Sequence, residues 1–439
     1  MLSSSTGCNY WVGMSDLLTP PSTPPRDGTQ YAGEEQVGRC IPSAIKHKFS
    51  FDNFYGTSPV KKDKSGLLKV PSHLILENLN IEKAGNPDVL NQMCNDLLEL
   101  DLSRNNISDI SEILIVLKQS PKLLSLLLSG NPLNSTIPEP LPSHEFMLKS
   151  IILTATKIPL SVLALILPSL IVLEEMHLSF NHYTSTSGLN LNSCSSLKFL
   201  YFNDNLLERW SDACHLCKCF PNISTLVLTG NKFTHIPPDD EETISTMNKL
   251  NCLHLGRNPL ASWEDLRCFN LLPNITDIRL HGLDFFSKYT DKDRRNITIA
   301  RLKHITRLNA SEISRVERED AERFFLRHHL KDEEKPFLYD ELEAIHGRLE
   351  PLVDLNLGAY EINLNITCLG YIGSRDLLIN PNLTVSDLRK KIQSLYKLKT
   401  SNFVINVNNE SFTELKDATM AIHATGLVTD SELVVTPVS

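Results

Sequence analysis

The chain has 439 residues, 41% of them hydrophobic and 22% charged, which is enough for two or three domains with sizeable cores. Its 52 Asp and Glu outnumber 43 Lys and Arg, and the net charge of −9 argues against nucleic acid as a partner, because an acidic chain repels phosphates. Without a run of 18 apolar residues, and without a basic segment followed by an apolar one near the N-terminus, the sequence predicts a soluble cytoplasmic protein with no membrane span.

The first segment, residues 1–66, is rich in Pro, Ser, Thr and Gly and has no regular spacing of apolar residues. A segment of this composition buries too little apolar surface to offset the chain entropy that is lost on folding. We therefore expect residues 1–66 to form a disordered arm.

Over residues 67–310 the sequence repeats itself every 24 to 27 residues. The template is Leu-x-x-Leu-x-Leu-x-x-Asn-x-Leu, the signature of leucine-rich repeats. Its copies begin at Leu97, Leu123, Leu148, Leu173, Leu197, Ile223, Leu250 and Ile275, after a ragged copy at Leu74. Because stacked repeats bury one another's apolar faces, we predict an α/β solenoid, a horseshoe of about eight or nine repeats.

One asparagine recurs at the phase of the repeat where the chain leaves the strand and turns. Its amide both donates and accepts hydrogen bonds, as buried turn backbone requires. We expect a ladder of Asn105, Asn131, Asn181, Asn205, Asn231 and Asn258. Thr156 and Leu283 take this position in two copies and predict local irregularity. Trp210 and Trp263 share a phase with aliphatic residues of other copies, so we interpret them as core residues.

A cluster of thiol and imidazole groups lies in the segment Cys214-His215-Leu216-Cys217-Lys218-Cys219. A zinc site needs four ligands, usually as two spaced pairs, and no second pair completes this one. The apolar residues of the segment have helical spacing, so buried packing is the favoured interpretation and zinc the alternative. The sequence therefore predicts no metal and no cofactor.

The repeats give way to a charged segment over residues 311–355. Its helical part carries an apolar face made of Val316, Ala321, Phe324, Phe325 and Leu326. A solenoid must shield its last strand from solvent. We therefore interpret residues 311–355 as the C-terminal cap and a linker.

The last segment, residues 359–439, has another pattern. Residues 361–369 and 376–380 read as a strand pair, Thr384-Val385-Ser386-Asp387 begins a helix, and two more strands follow. This order of elements resembles the α+β ubiquitin-like roll. Asn406 and Thr436 fall where ubiquitin displays apolar surface residues, which disfavours docking to ubiquitin receptors in the usual way.

The residues that alternate with the core leucines line the concave face of a horseshoe. Its central column comprises Asp101, Leu127, Ile152, His177, Tyr201, Val227, His254 and Arg279, with Phe199 beside Tyr201. An exposed apolar and aromatic stripe with charged ends is typical of a protein-binding centre, so we predict that these nine residues bind a partner. The alternative is that the N-terminal arm covers Leu127 and Ile152.

Leucine-rich repeats, a charged cap and a ubiquitin-like roll together resemble the tubulin-folding cofactor E family. The stretches that carry the likeness are Leu97–Asn105, Ala261–Asp265, Ile299–Leu302 and Glu317–Arg327. Cofactor E itself begins with a CAP-Gly domain, and we expect that domain to be missing because residues 1–70 lack its motif. The resemblance implies a cytoskeleton-associated regulator of microtubule stability that engages α-tubulin or the α/β-tubulin heterodimer and destabilises the heterodimer.

Two further expectations concern chemistry and partners. The sequence has no GxxxxGK[ST] loop, no HExxH helix motif and no GxSxG motif, so we predict that the protein is not an enzyme. The alternative function is an adaptor that delivers other clients to proteasome-linked proteins through the ubiquitin-like domain.

Overall fold

A computed structural model describes residues 39–54, 61–62, 68–134, 144–191, 193–239, 241–351, 361–400, 402–408 and 413–438. The chain divides into two compact units, one that ends at Gly347 and one that begins at Arg348. The sequence placed the end of the cap at residue 355 and the start of the roll at residue 359; residues 352–360 lie outside the described residues.

The described strands of the first unit are β1 (Arg39–Cys40), β2 (Lys61–Lys62), β3 (Leu68–Lys69), β4 (His73–Ile75), β5 (Ile81–Lys83), β6 (Glu99–Asp101), β7 (Ser125–Leu127), β8 (Ser150–Ile152), β9 (Glu175–His177), β10 (Phe199–Tyr201), β11 (Thr225–Val227), β12 (Cys252–His254), β13 (Asp277–Arg279), β14 (Arg307–Leu308) and β15 (Ser311–Glu312). Its helices are α1 (Ile41–Phe54), α2 (Pro87–Cys94), α3 (Ile110–Gln119), α4 (Leu160–Ile166), α5 (Trp210–Cys219), α6 (Glu241–Thr246), α7 (Asp291–Arg301), α8 (Arg315–His328) and α9 (Tyr339–His346), with 3-10 turns at Leu167–Ser169, Trp263–Leu271 and Asp284–Lys288.

One long sheet runs through the repeats. Strand β4 and strands β6 to β14 lie side by side in chain order, all parallel, and β15 turns back antiparallel to β14. The middle residues of neighbouring strands stand opposite one another, as Leu100 does with Leu126 and Leu126 with Ile151. From Leu74 to Leu308 these middle residues are at most 5% exposed. The predicted leucine-rich-repeat solenoid is therefore confirmed.

The segment before the repeats corrects the prediction. Residues 1–66 were expected to be disordered, but β1 pairs in parallel with β5, and α1 follows it directly. Ile41, Ala44 and Ile45 of α1 are fully buried, because their helical spacing puts them on one face against the first repeat. The expectation is wrong for residues 39–54; residues 1–38, 55–60 and 63–67 lie outside the described residues.

The asparagine ladder forms as expected. The Asn205 Oδ1 atom accepts from the backbone N–H groups of Asn181 and Tyr183, and its Nδ2 donates to the carbonyls of Leu178 and Phe202. The same bonding to a neighbouring repeat recurs at Asn105, Asn131, Asn181, Asn231 and Asn258. Each asparagine thus joins two turns of the solenoid.

The two exceptions to the ladder differ. The hydroxyl of Thr156 donates within its own turn to the carbonyl of Leu153, so it does not carry the bond to the preceding turn that asparagine would make. In the last repeat, where Leu283 replaces asparagine, the backbone N–H of Leu280 donates to Asn309 Oδ1, at 2.8 Å. In the preceding repeat the equivalent N–H, that of Leu255, donates to the carbonyl of Arg279, so Asn309 takes the place of a strand carbonyl and not of the missing asparagine.

Helices α7 and α8 form the C-terminal cap. The Arg318 guanidinium of α8 donates to the carbonyls of Ile299 and Leu302, where α7 ends and its last carbonyls lack helical partners. Phe325 of α8 is fully buried. Val316 was predicted to face the core but is 69% exposed, because it lies in the first turn of α8, beyond the covered surface.

The second unit contains β16 (Ile362–Cys368), β17 (Ser374–Ile379), α10 (Val385–Tyr396), β18 (Phe403–Val407), β19 (Thr413–Glu414), a 3-10 turn (Ile422–Thr425) and β20 (Ser431–Pro437). The strands are ordered β17-β16-β20-β18-β19, and β16 and β20 are parallel. Helix α10 packs on one face of this sheet, with Leu388 and Ile392 fully buried. The helix predicted to begin at Thr384–Asp387 is present, and these two residues form a capping box. This is the predicted ubiquitin-like roll.

Candidate partner-binding face

The solenoid sheet has one face in the core and one outward face that is not covered by a helix of the described residues, which we call the open face. The third residues of strands β6 to β13 form its central row: Asp101, Leu127, Ile152, His177, Tyr201, Val227, His254 and Arg279. Each residue of the row stands opposite the next in the strand register. Phe199 lies on the same face at the start of β10, two residues before Tyr201. The structure therefore brings all nine predicted residues onto one continuous surface.

The row is less exposed than the sequence suggested. His177 and Val227 are buried, at 9% and 6% exposure, and the other predicted residues are half-buried. The reason is lateral contact, since side chains on neighbouring strands stand only about 4.8 Å apart. The row thus presents a packed surface, not separate projecting anchors. The alternative cover for Leu127 and Ile152 was the N-terminal arm, residues 1–66, of which residues 1–38, 55–60 and 63–66 lie outside the described residues.

The centre of the open face is an ordered aromatic pair. The rings of His177 and Tyr201 stack with centroids 4.0 Å apart and planes 8° from parallel. The His177 Nε2–H group donates to the Glu175 carboxylate over 2.9 Å, which fixes the orientation of the ring. This hydrogen bond lowers the pKa of Glu175 although burial opposes the shift. The centre is therefore rigid and apolar on its stacked surface, as a binding hot spot requires.

The C-terminal end of the open face carries cationic groups that the sequence reasoning missed, apart from Arg279. Arg257 forms an ion pair with Asp204, from Nη2 to Oδ1 over 2.9 Å, and so spans the whole intervening repeat. The bridge passes over Gly230, where an added Cβ would come within 2.4 Å of the Asp204 carboxylate. Arg307 lies 3.7 Å from Asp277 on the neighbouring strand.

A signal for the ion pair was present in the sequence. Asp204, Gly230 and Arg257 each precede the repeat's asparagine directly, so they occupy one phase in three successive repeats. When three successive repeats carry an acidic residue, a glycine and a basic residue at the same position of the repeat, the two charged side chains can form an ion pair across the middle repeat. All three residues have positive φ, and the side chains of Asp204 and Arg257 meet across Gly230.

Two histidines lie in the field of these arginines. Burial, together with the charge of Arg279 and the nearby His281, lowers the pKa of His254 to about 3. Burial, Arg257 and Arg279 likewise lower the pKa of His281. Both imidazoles are therefore neutral at neutral pH, and the local charge is set by the arginines.

The opposite end of the open face is acidic. Glu99 and Asp101 face outward from β6, and Asp101 Oδ1 accepts from the backbone N–H of Ser103. Glu77, one strand earlier, lies 3.5 Å from Arg104. The open face thus runs from acidic groups, through an apolar aromatic centre, to arginines.

The cysteine cluster of α5 packs in the core. Cys214, Cys217 and Cys219 are all buried, together with Leu216. Burial raises the pKa of Cys219 to about 12 and also raises that of Cys217, so both thiols are protonated at neutral pH. The two predicted core tryptophans are buried as well, with Trp210 Nε1 donating to Thr243 and Trp263 Nε1 to Tyr289.

The ubiquitin-like sheet also has a face without a helix. Alternation with the buried residues of β16 and β18 puts Asn365 and Asn406 on it, and Thr436 of β20 lies beside Val404. The Asn365 amide donates to Asp376 of β17 over 3.0 Å. Across the described strands this face is mostly polar, in contrast to the centre of the solenoid's open face.

The fold defines a class: a leucine-rich-repeat protein with a ubiquitin-like domain after the repeats. Within the described residues, no helix is long and apolar enough to cross a membrane. No protein-family model matches the chain.

Curated relatives narrow the class. The human tubulin-specific chaperone cofactor E-like protein is 31% identical over 417 residues, covering 90% of this chain and 97% of the relative. The Caenorhabditis elegans protein of the same name is 31% identical and covers 77% of both chains. The Arabidopsis thaliana tubulin-folding cofactor E is 26% identical over 85% of this chain and 76% of its own length. The chain belongs to the family of tubulin-specific chaperone cofactor E-like proteins.

Proposed function

We propose that this protein binds tubulin, that it engages α-tubulin through the open face of its repeats, and that binding destabilises the α/β heterodimer. The observation that carries the proposal is the match to relatives named as tubulin-specific chaperones along nearly the whole chain. Tubulin is therefore the partner that the protein regulates, and it acts in the cytoplasm on the polymerisable pool.

The open face supports this placement by its chemistry. A stacked His177–Tyr201 pair, held by Glu175 and flanked by Phe199, offers a rigid aromatic surface of the kind that dominates binding energy in protein interfaces. Its acidic and basic ends can fix the orientation of a folded partner. The proposed action is binding without covalent chemistry, consistent with the protonated, buried thiols of α5.

The test is a binding measurement with purified tubulin heterodimer. The double variant Phe199→Ala, Tyr201→Ala is expected to weaken binding at least about 30-fold, since truncated aromatic anchors cost about 2 kcal/mol or more. Asn406→Ala, on the polar face of the ubiquitin-like sheet, is the matched control and should bind like the wild type. Undiminished binding by the folded double variant would place the interface elsewhere.

The destabilising action needs a second readout. Tubulin heterodimer mixed with the full-length protein, without added nucleotide, is followed by native gel and size exclusion. Loss of heterodimer is expected, in proportion to the protein added, and the Phe199→Ala, Tyr201→Ala variant should cause less loss. A stable complex with intact heterodimer would contradict destabilisation while leaving tubulin binding in place.

The proteasome adaptor is the weaker candidate. It requires an apolar docking surface on the ubiquitin-like sheet, and Asn365, Asn406 and Thr436 make that surface polar. The same Asn406→Ala variant separates the two functions, because an adaptor that docks through this sheet would change its binding to proteasomal receptors.

A further inference from the structure

One arginine of the open face is left without a partner. Within the described part of the chain, no hydrogen bond or ion pair reaches the Arg279 guanidinium, and its Nε atom is buried with no acceptor. Its neighbours carry ion pairs: Arg257 binds both oxygens of Asp204, and Arg307 lies 3.7 Å from Asp277, although the Arg307 Nε atom also has no hydrogen bond. Of these three arginines at the C-terminal end, Arg279 is the one whose charge stays uncompensated.

This arrangement is costly to the folded chain. A buried donor without an acceptor destabilises by about 1 to 3 kcal/mol, and guanidinium groups normally find acceptors for their fixed fork of N–H donors. The residue directly opposite in the register is His254, whose neutral ring forms no hydrogen bond to Arg279. The register therefore offers Arg279 an uncharged neighbour where an ion pair would need a carboxylate.

Asp277 is the nearest acidic residue along the chain, two positions earlier on the same strand. Its Oδ2 atom faces Arg307, and its Oδ1 atom is buried without a hydrogen bond in the described structure. Asp204 and Asp277 thus serve other arginines, and Glu312 stands opposite Arg307 in the register, so Arg279 is left without an ion pair in the described residues. Burial is the main cause of the lowered pKa values of His254 and His281, and the charge of Arg279 contributes to both.

We propose that Arg279 anchors a carboxylate-binding subsite at the C-terminal end of the open face, which takes an aspartate or glutamate side chain from an acidic segment of a partner protein. The planar fork of arginine matches the two oxygens of a carboxylate, and half-burial strengthens the contact. The inference rests on the open face being the partner surface, and it adds the chemistry of one contact.

The test uses the full-length chain and a fluorescent hexaglutamate peptide, measured by anisotropy at low salt, with hexaglutamine as the uncharged probe. Arg279→Gln is expected to weaken hexaglutamate binding at least tenfold. Arg279→Lys keeps the positive charge but loses the planar fork of N–H donors, so its affinity for hexaglutamate should lie between those of the wild type and Arg279→Gln. Arg315→Gln is the matched control, since it removes one positive charge from the exposed first turn of α8. The affinity of Arg315→Gln for hexaglutamate should stay within twofold of that of the wild type.

The outcomes are distinct. Equal hexaglutamate binding by wild type and Arg279→Gln, or equal losses in Arg279→Gln and Arg315→Gln, would overturn the subsite. The urea midpoint of Arg279→Gln should equal or exceed that of the wild type, because the substitution removes a buried donor that has no acceptor. A large decrease in the midpoint would instead assign Arg279 a structural role and overturn the inference. The Phe199→Ala, Tyr201→Ala variant should still bind hexaglutamate, so a failure of the tubulin proposal leaves this result intact.

Discussion

The two units of the chain each build a sheet with one covered and one open face, but they hold it together differently. In the solenoid, most strands are three residues long and contribute one core residue each, such as Leu200 in β10. In the ubiquitin-like unit, β16 alone buries Ile362, Leu364, Ile366 and Cys368. The long strands therefore gain enough from their own apolar side chains, whereas the short strands need further bonds between neighbours.

The asparagine ladder supplies those bonds in the solenoid, and it has a consequence for the open face. Because the turns are fixed by side chains in the core, the outward residues of each strand are not needed for the fold and can take any chemistry. The repeats use this freedom for Tyr201, His177 and Arg279, while the ubiquitin-like sheet carries Asn365 and Asn406 at equivalent outward positions. The comparison predicts that outward changes affect binding and that ladder changes affect folding.

The largest effect is expected from Asn205→Ala. The substitution leaves two backbone N–H groups and the Leu178 carbonyl without their partner, while the Phe202 carbonyl keeps its bond from Asn231, so the free energy of unfolding of the first unit should fall by about 3 kcal/mol or more. Urea unfolding followed by the fluorescence of Trp210 and Trp263 measures it.

The control for this prediction lies two residues away. Asn203 is on the open face, where it accepts from Ser179 and donates to Asp204. Asn203→Ala should cost about 1 kcal/mol, because water can replace these bonds. Equal losses in the two variants would remove the distinction between ladder and open face.

The sequence predicted the features that depend on residue type at a fixed phase. Three patterns each predict one local structure. Alternating leucines predict a strand with one buried face, an asparagine at each turn predicts the ladder, and a threonine three residues before Asp387 predicts the start of a helix. The structure contains all three. The predicted site residues also came together, because strand register follows from the repeat period. These inferences needed no knowledge of distant parts of the chain.

The features that were not predicted depend on distant contacts. Helix α1 covers the first repeat, but its own composition does not indicate that the core of this repeat needs a covering helix. The ion pair of Arg257 with Asp204 joins residues 53 positions apart and depends on the space above Gly230. The burial of His177 follows from its stacking on Tyr201, which depends on the rotamers of both rings. Local patterns carry none of this information.

A smaller effect concerns the pH dependence of the open face. In the folded state His254 has a pKa of about 3, surrounded by Cys252, Arg279 and His281, whereas an unfolded histidine titrates near pH 6.5. Between these values the unfolded chain binds more protons, so folding is favoured above pH 6.5 and this contribution is lost as the pH falls. We expect a loss of about 2 kcal/mol between pH 6.5 and 5.

The measurement compares the free energy of unfolding of the wild type and His254→Gln as the pH is lowered. The variant should lose less stability below pH 6.5, and the two should have the same slope between pH 7 and 8. Parallel curves at acid pH would mean that His254 takes up a proton in the folded state, and that the arginines leave this part of the open face less positive than inferred.

The smallest expected effect concerns helix α10, which covers one face of the ubiquitin-like sheet. Helix α10 begins with a reciprocal cap, in which the Thr384 hydroxyl and the Asp387 carboxylate each bond the other's backbone N–H, whereas α7 of the solenoid has a one-way cap at Thr290. Thr384→Ala should cost about 1 kcal/mol, measured as faster hydrogen exchange in the first turn of α10, and Thr384→Ser should restore protection. Thr290→Ala should affect α7 less, because its buried residues Ile297, Thr298, Ile299 and Ala300 hold it in the cap. A larger increase in hydrogen exchange for Thr290→Ala than for Thr384→Ala would mean that the solenoid cap depends on local hydrogen bonds as much as α10 does. The contrast between the two units would then be confined to their strands.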